Sequence, residues 1–170
     1  MRISSVLAQA IIIMRKKIIS PLQPESTPPE LEWLNLDELA EVELSSEDAA
    51  HPIESALLQD RASGWRAAEP GEQKIRLLFY HPQHLRRIWL KFVEAERERT
   101  QEYVLRWSQD GGRSFQEILR QQWNFSPRGA TYETEDLHVD LAAVTVLELT
   151  IIPDISGGGA FASLDRFWLA

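Results

Sequence analysis

The segment from Tyr103 to Phe125, YVLRWSQDGGRSFQEILRQQWNF, most strongly constrains what this chain can fold into. Large side chains recur at alternate positions on both sides of Asp110-Gly111-Gly112. A period of two is typical of strands with one buried face, and glycines between two such runs indicate a hairpin. Asp110 and the glycines can adopt the positive φ angles of a tight turn. The segment therefore predicts two antiparallel strands that need a second layer over their apolar face.

Further segments with the same alternation predict that second layer. They are Ala40-Val42-Leu44, Ile75-Leu77-Phe79, Ile88-Leu90-Phe92, Leu137-Val139-Leu141, Leu147-Leu149-Ile151 and a last strand around residues 164–169. Residues 52–58 are long enough for one or two helical turns, and a turn at His81-Pro82 separates two of the strands. The chain is therefore predicted to be all-β, a sandwich of two antiparallel sheets with about eight or nine short strands.

Residues 1–30 differ from the rest of the chain in composition. Residues 6–14 form an apolar run too short to span a bilayer, and 4 prolines between residues 21 and 29 exclude a helix or a central strand. Three interpretations of the run are open: a helix docked on the domain, a segment lying on an anionic membrane, or a segment that is not translated because Met14 is the true start. Membrane binding is the weakest of them, because the run has no aromatic residue to anchor it. We predict a tail and proline-rich linker over residues 1–30, a domain over residues 31–170, and no membrane partner.

Charge and cysteine content restrict the partners of the chain. The sequence has 170 residues, a net charge of −8 and no cysteine. Such an acidic protein lacks the broad attraction to phosphates on which nucleic-acid binding depends. The absence of cysteine excludes disulfides and thiol chemistry and fits a reducing compartment. We therefore expect a cytoplasmic monomer that does not bind nucleic acid.

Sequence motifs for catalysis or metal binding are absent. There is no GxSxG, P-loop or HExxH motif. His81 and His84 lie on a predicted turn with no evident third zinc ligand. Glu94, Glu96 and Glu98 alternate with arginines, as on a solvated loop, and do not suggest a catalytic pair with one buried member. We predict a non-catalytic protein with no cofactor, and a structural calcium ion stays an open alternative.

Aromatic residues indicate a ligand site more strongly than the charged residues do. The chain has 6 tryptophans, and sugar sites combine aromatic faces with a few polar groups. Trp65 or Phe161 would stack on a ligand, and residues on neighbouring loops would hydrogen-bond to it: Arg66, Asn124, Arg128 and Asp154. The alternative for each aromatic residue is simple burial in the core.

The order of these segments resembles the discoidin-like domains of the coagulation factor 5/8 C-terminal type. That family's serine-ending strand, proline-initiated turn and tryptophan are similar to Glu43–Glu47, His51–Leu57 and Gly64-Trp65. Its Y-x-(V/L)-x-x-S-x-D-G hairpin is similar to Tyr103–Gly111, with Phe115 after it. Its last two strands correspond to Val146–Ile151 and Leu164–Leu169. The resemblance covers residues 39–170.

The resemblance implies a galactose-binding-like jelly roll of two packed sheets, a fold that mostly binds and rarely catalyses. We expect a binding module for a carbohydrate or another small polar ligand, held by loops at one end of the sandwich. The alternative is a protein-interaction or assembly domain whose partner is a protein surface. An exposed aromatic residue beside arginine and asparagine in a concave loop cluster would favour the sugar, whereas a broad apolar patch without a pocket would favour the protein.

Overall fold

The computed structural model describes residues 32–170, which form a β-sandwich with two short helices. In chain order the elements are α1 (Leu36–Leu39), β1 (Ala40–Leu44), α2 (Glu54–Leu57), β2 (Trp65–Pro70), β3 (Gln73–Val93), β4 (Arg99–Ser108), β5 (Gln116–Phe125), β6 (Tyr132–Ile152), β7 (Phe161–Leu164) and β8 (Arg166–Leu169). The predicted tail and linker, with the apolar run at residues 6–14, lie outside the described residues. Within residues 32–170, no helix is long and apolar enough to cross a membrane.

Two long strands run through both layers of the sandwich. β3 and β6 have 21 residues each and pair antiparallel along both halves, with register shifts between Leu78 and Arg87 of β3. The first half of β3 and the second half of β6 belong to one layer, in the order β1-β3-β6-β4-β5. The second half of β3 pairs with the first half of β6 and with β8, forming the other layer. β2 and β7 form a separate antiparallel pair.

The predicted alternation places the apolar side chains between the two layers. Each of the following residues is 0% exposed: Ile75, Leu77, Leu105, Leu147, Leu149 and Ile151 in one layer, and Ile88, Leu90, Phe167 and Leu169 in the other. Because side chains on a strand alternate between its two faces, these sets meet in one core while their neighbours face outward. The all-β sandwich of two antiparallel sheets is confirmed.

The prediction of separate short strands is wrong at three places. The segments on either side of His81-Pro82 are one bent strand, β3, and the two inward-facing sets between residues 137 and 151 are one strand, β6. Pairing of β3 with β6 stops after Leu78 and resumes at Gln83, and the register shifts between Leu78 and Arg87 accommodate the change of direction. The predicted last strand is instead divided at Asp165, because β7 pairs with β2 and β8 pairs with β3.

The central hairpin is present, but residues 109–115 form a longer loop than the predicted tight turn. Gly111 and Gly112 have φ angles of 75° and 89°, the positive values expected of them. The Asp110 carboxylate accepts backbone N–H groups of Arg113 at 3.0 Å and Ser114 at 2.9 Å, which closes the loop. These hydrogen bonds account for the extra residues, because they require the chain to curl around the carboxylate.

Three tryptophans pack together where the described chain begins. The ring centroids of Trp33, Trp89 and Trp168 lie 5.0 to 6.3 Å apart. Trp89 and Trp168 are paired residues on β3 and β8, and Trp33 precedes α1. The rings are tilted against one another by 33° to 55°, so they form a packed cluster and not a flat surface. This cluster attaches the first described residues to the sheet.

Candidate functional site

A cleft of about 390 Å³, called here the end cleft, lies at one end of the sandwich. Three parts of the chain line most of it: the start of β2 with Gly64, the β7 strand with the residues that flank it, and the loop at residues 94–97 after β3. His51, Ser63 and Val93 complete the lining. The cleft is therefore assembled from segments that are far apart in sequence.

The pairing of β2 with β7 forms one wall of the end cleft. Trp65 lies opposite Leu164 and Arg66 lies opposite Ser163 in this pair. Gly64 allows the close approach, since a Cβ atom there would lie 2.4 Å from the Leu164 carbonyl oxygen. Real Cβ atoms do not come so close to backbone, so this position of the wall requires glycine.

Arg66 and Phe161 form an aromatic–cation pair on this wall. The Arg66 guanidinium carbon lies 5.5 Å from the centroid of the Phe161 ring, which is within the range of a cation–π interaction. Phe161 is 37% exposed, so part of its ring is open to solvent. The Arg66 backbone N–H donates to the His51 carbonyl at 3.1 Å, which fixes the His51 loop against β2.

His51 is paired with a carboxylate in its own loop. Its Nδ1 lies 3.1 Å from the Asp48 carboxylate, which also accepts the Ala50 backbone N–H at 3.0 Å. These two hydrogen bonds, the one from Ala50 foremost, lower the pKa of Asp48. The carboxylate therefore stays ionised near neutral pH and holds the His51 ring beside the cleft.

The loop at residues 94–97 is built around the Glu94 carboxylate. This group accepts backbone N–H groups from Glu96 at 2.9 Å and Arg97 at 3.1 Å, and it pairs with the Arg99 Nε at 2.8 Å. Burial by itself raises the pKa of Glu94, but the hydrogen bonds from Arg99 and the two backbone amides outweigh it, and the net shift is downward. Glu94 is thus an ionised anchor for the loop.

The prediction of a solvated charged loop is wrong for Glu94 and Arg99. Their side chains are only 16% and 2% exposed, whereas residues 95–98 are exposed as expected. Arg99 also donates to the Gln101 side chain and to the Pro153 carbonyl. Because a buried guanidinium must use its donors, Arg99 ties the 94–98 loop to the loop that follows β6.

The structure places all six predicted site residues near this end of the sandwich, but only three of them line the cleft. Trp65, Arg66 and Phe161 line it. Trp65 is only 1% exposed, so the expectation that its ring stacks on a ligand is wrong: the ring is core. Phe161 is partly exposed, so for this residue stacking on a ligand stays a prediction.

The other three predicted residues lie outside the cleft lining. The Asn124 side chain accepts the Thr100 hydroxyl at 2.6 Å, and Arg128 is exposed in the turn after β5. Asp154 accepts both the backbone N–H and the hydroxyl of Ser156, and these bonds lower its pKa. Asn124 and Asp154 thus have local partners that account for their positions.

Several lining residues were not predicted from the sequence. His51, Glu96, Arg97, Ser163 and Asp165 line the cleft. Tyr132, which is 61% exposed, lies opposite the lining residue Val93 in the β3–β6 pair. The charged residues at 96 and 97 look like any solvated loop in sequence. The loop is held at the cleft by the Glu94–Arg99 ion pair and by the backbone hydrogen bonds to Glu94.

A separate polar cluster lies inside the sandwich and does not reach the cleft. Glu133 is 3% exposed, and neither of its carboxylate oxygens has a hydrogen-bond partner within residues 32–170. The same holds for the Tyr103 hydroxyl and the Gln101 Nε2. Burial, with the charge of Glu135 adding to it, raises the pKa of Glu133 to about 7. The Tyr103 hydroxyl is near enough to lower that pKa in part, although it completes no hydrogen bond.

Possible metal ligands do not converge in the part of the chain that the structure describes. No group of three or more histidine or carboxylate side chains there is arranged to hold an ion. His84 instead pairs with Asp140. A calcium site thus has no support from side-chain geometry, and the prediction of no cofactor stays a prediction.

Comparison with known proteins gives matches to solved structures only. No family model and no curated protein matches the chain. A pectin-binding carbohydrate-binding module superposes with a TM-score of 0.57 at 17% identity, covering 77% of this chain and 89% of that one. The family 32 module of NanJ from C. perfringens, solved with galactose, gives 0.58 at 14% identity, covering 81% and 96%. The family 32 module of AlyQ, solved with 4,5-unsaturated mannuronic acid, gives 0.56 at 14% identity, covering 78% and 95%.

Proposed function

We propose that this domain, a galactose-binding-like jelly roll of the discoidin type, is a non-catalytic carbohydrate-binding module whose ligand occupies the end cleft. One observation carries the proposal. The partly exposed ring of Phe161 lies beside the Arg66 guanidinium in a concave site formed by β2, β7 and the neighbouring loops at one end of the sandwich. Loops held by a rigid sandwich are where binding sites are most often found.

The size and chemistry of the end cleft suit a sugar of one or two rings. Its volume of about 390 Å³ lies in the range of small-ligand sites, roughly 300–1,000 Å³. The Phe161 ring offers an apolar face for the C–H groups of a sugar ring. Arg66 makes no hydrogen bond from its guanidinium to any residue between 32 and 170, so its N–H groups are available to sugar hydroxyls.

The solved structures with this fold support the same reading. They include a pectin-binding module and modules solved with galactose and with an unsaturated mannuronic acid. Their sequence identities of 14% to 17% establish the fold alone. The step from fold to ligand therefore rests on the cleft of this chain.

The alternative of a protein-interaction domain has less support from the described surface. Its large exposed apolar residues are Tyr80, Val93, Trp123, Tyr132, Ile155 and Phe161. Val93 and Phe161 line the cleft, with Tyr132 paired to Val93, and Tyr80 is at the bend of β3. A concave site with an aromatic residue and an arginine favours a sugar, whereas a protein partner would call for one broad flat patch.

A glycan array, run with added calcium and again with a chelator, tests the proposal. Phe161→Ala and Arg66→Ala should each abolish or greatly weaken the signal of any glycan that binds. Both variants should keep a free energy of unfolding within about 1 kcal/mol of the parent, as expected of surface changes. Tyr80→Ala is the matched control, because Tyr80 is an aromatic residue, 60% exposed, that lies outside the cleft.

Two results would contradict the proposal. The first is a folded protein that binds no glycan in either calcium condition. The second is glycan binding that survives both Phe161→Ala and Arg66→Ala, because the ligand would then lie elsewhere. If Phe161→Ala unfolds the domain, the Arg66→Ala variant alone decides.

A further inference from the structure

We infer that the end cleft selects a sugar that carries a carboxylate, as in a uronic acid, and that Arg97 and Arg66 recognise that group. The inference rests on the proposed function and names the class of sugar that the same site takes. It comes from the charges on the cleft lining and from the partners that those charges already have.

Two guanidinium groups on the lining have no carboxylate partner. Neither Arg66 nor Arg97 makes an ion pair within residues 32–170. The Arg66 guanidinium carbon lies 5.5 Å from the Phe161 ring centroid, and the guanidinium N–H groups donate to no residue between 32 and 170. Arg97 is exposed, and its only hydrogen bond there is from its backbone N–H to Glu94. A planar guanidinium with free N–H groups matches the two oxygens of a carboxylate.

Most carboxylates of the lining are already paired with cations from outside it. Glu94 is bound by Arg99 at 2.8 Å. Asp165 lies 3.5 Å from the Lys91 Nζ and 3.6 Å from the Arg166 guanidinium. None of these three cations lines the cleft. They neutralise the acidic groups without competing for the ligand.

One lining carboxylate, Glu96, is left to oppose the two arginines. It has no hydrogen bond or ion pair from its side chain to the rest of residues 32–170. Asp48 lies outside the lining and is bound to His51; the Ala50 and His51 hydrogen bonds lower its pKa, and the Arg66 charge adds to them. Two unpaired cations against one unpaired carboxylate leave the cleft with a positive excess. A neutral sugar gains only hydrogen bonds from these arginines, whereas a carboxylate also gains the attraction between opposite charges.

The net charge of the chain determines how the inference is tested. At −8 the protein repels an anionic polymer at long range, while the arginines attract its carboxylates at short range. Added salt weakens both effects, so a salt series cannot separate them. Neutralising the ligand does separate them, because a methyl ester removes the negative charge and keeps the sugar.

The experiment measures the affinity for polygalacturonate and polymannuronate, each compared with its own methyl ester. The parent should bind at least one acid form about tenfold or more tightly than the ester, since a charge-assisted hydrogen bond is worth about that factor. Arg97→Gln should weaken binding of the acid form more than binding of the ester and so remove most of this preference. Glu96→Gln should act in the opposite direction and strengthen binding of the acid form a few-fold.

The control is Arg113→Gln, an exposed arginine in the loop at the other end of β4. It changes the net charge as Arg97→Gln does, so any difference between the two variants is local. Equal binding of acid and ester, or Arg97→Gln behaving like Arg113→Gln, would overturn the inference. So would equal binding of a sulfated glycan without carboxylates. If neutral glycans bind through Phe161, the proposed function stands without the acid preference, and if no glycan binds at all, both fail.

Discussion

Replacing Glu133 by glutamine should change how the stability of the domain depends on pH. In the folded chain the pKa of Glu133 is raised to about 7 from its ordinary value of 4.5, first by burial and then by the charge of Glu135. Between these two values the unfolded chain loses its proton while the folded chain keeps it. The folded state therefore binds more protons, and stability falls as the pH rises. Below pH 4.5 Glu133 is protonated in both the folded and the unfolded chain, so it causes no loss of stability there.

The size of the loss follows from the shift. One pKa unit corresponds to 1.36 kcal/mol, so the parent should lose on the order of 3 kcal/mol through Glu133 between about pH 4.5 and pH 7. Glu133→Gln has the same shape and cannot ionise, so it should not show this loss. Glu135→Gln should lower the pKa of Glu133 and so reduce the loss in part.

Urea unfolding at a series of pH values from about 4 to 8 measures the difference. Subtracting the curve of the parent from that of Glu133→Gln removes the contributions of the other titrating groups and any constant cost of burying an amide. The difference should rise with pH by roughly 3 kcal/mol and level off above pH 7. Glu117→Gln, on an exposed part of β5, is the control for removing a carboxylate outside the core. A flat difference for Glu133→Gln would mean that its carboxylate is solvated and ionised in the folded protein, and the reasoning would be refuted.

Other substitutions test the packing that supports the site. Gly64→Ala should cost about 1–3 kcal/mol in thermal unfolding, because the new Cβ would meet the Leu164 carbonyl, and an unchanged melting temperature would show that β2 and β7 separate easily. Trp33→Ala should cost about 1–3 kcal/mol through the loss of two aromatic contacts, and a neutral result would mean that the start of the domain is not held there. Gly111→Val should cost about 1–3 kcal/mol by backbone strain alone, since a Cβ there meets no other atom, and full stability would show that the loop can adopt a negative φ.

The sequence was sufficient for the class of fold and for the buried face of most strands. Residues such as Ile75, Leu77, Leu147 and Leu149 alternate with other residues along their strands. This alternation predicts which face of each strand is buried. The loops between these runs contain the expected glycines and prolines. The solved structures that superpose on this chain share the fold at sequence identities of 14% and 17%. Sequence similarity alone is too low to reveal that relation.

The sequence was not sufficient where the partner of a segment decides its structure. Nothing in residues 79–85 says that the strand continues through His81-Pro82, because continuity depends on β6 lying alongside. In the same way, Asp165 divides two strands only because β7 and β8 have different partners. Pairing between distant segments sets these strand boundaries, so the local sequence does not predict them.

What the sequence determined by itself is the alternation of buried and exposed residues, because that is a property of each strand alone. The tertiary structure decided which polar residues share a site. His51, Arg66, Arg97 and Phe161 are far apart in the chain and line one cleft. It also decided which charges are free, since Glu94 and Asp165 are neutralised by cations that no spacing rule connects to them. Charge and exposure depend on the neighbours in space, so the chemistry of the cleft appears only when the strands are packed.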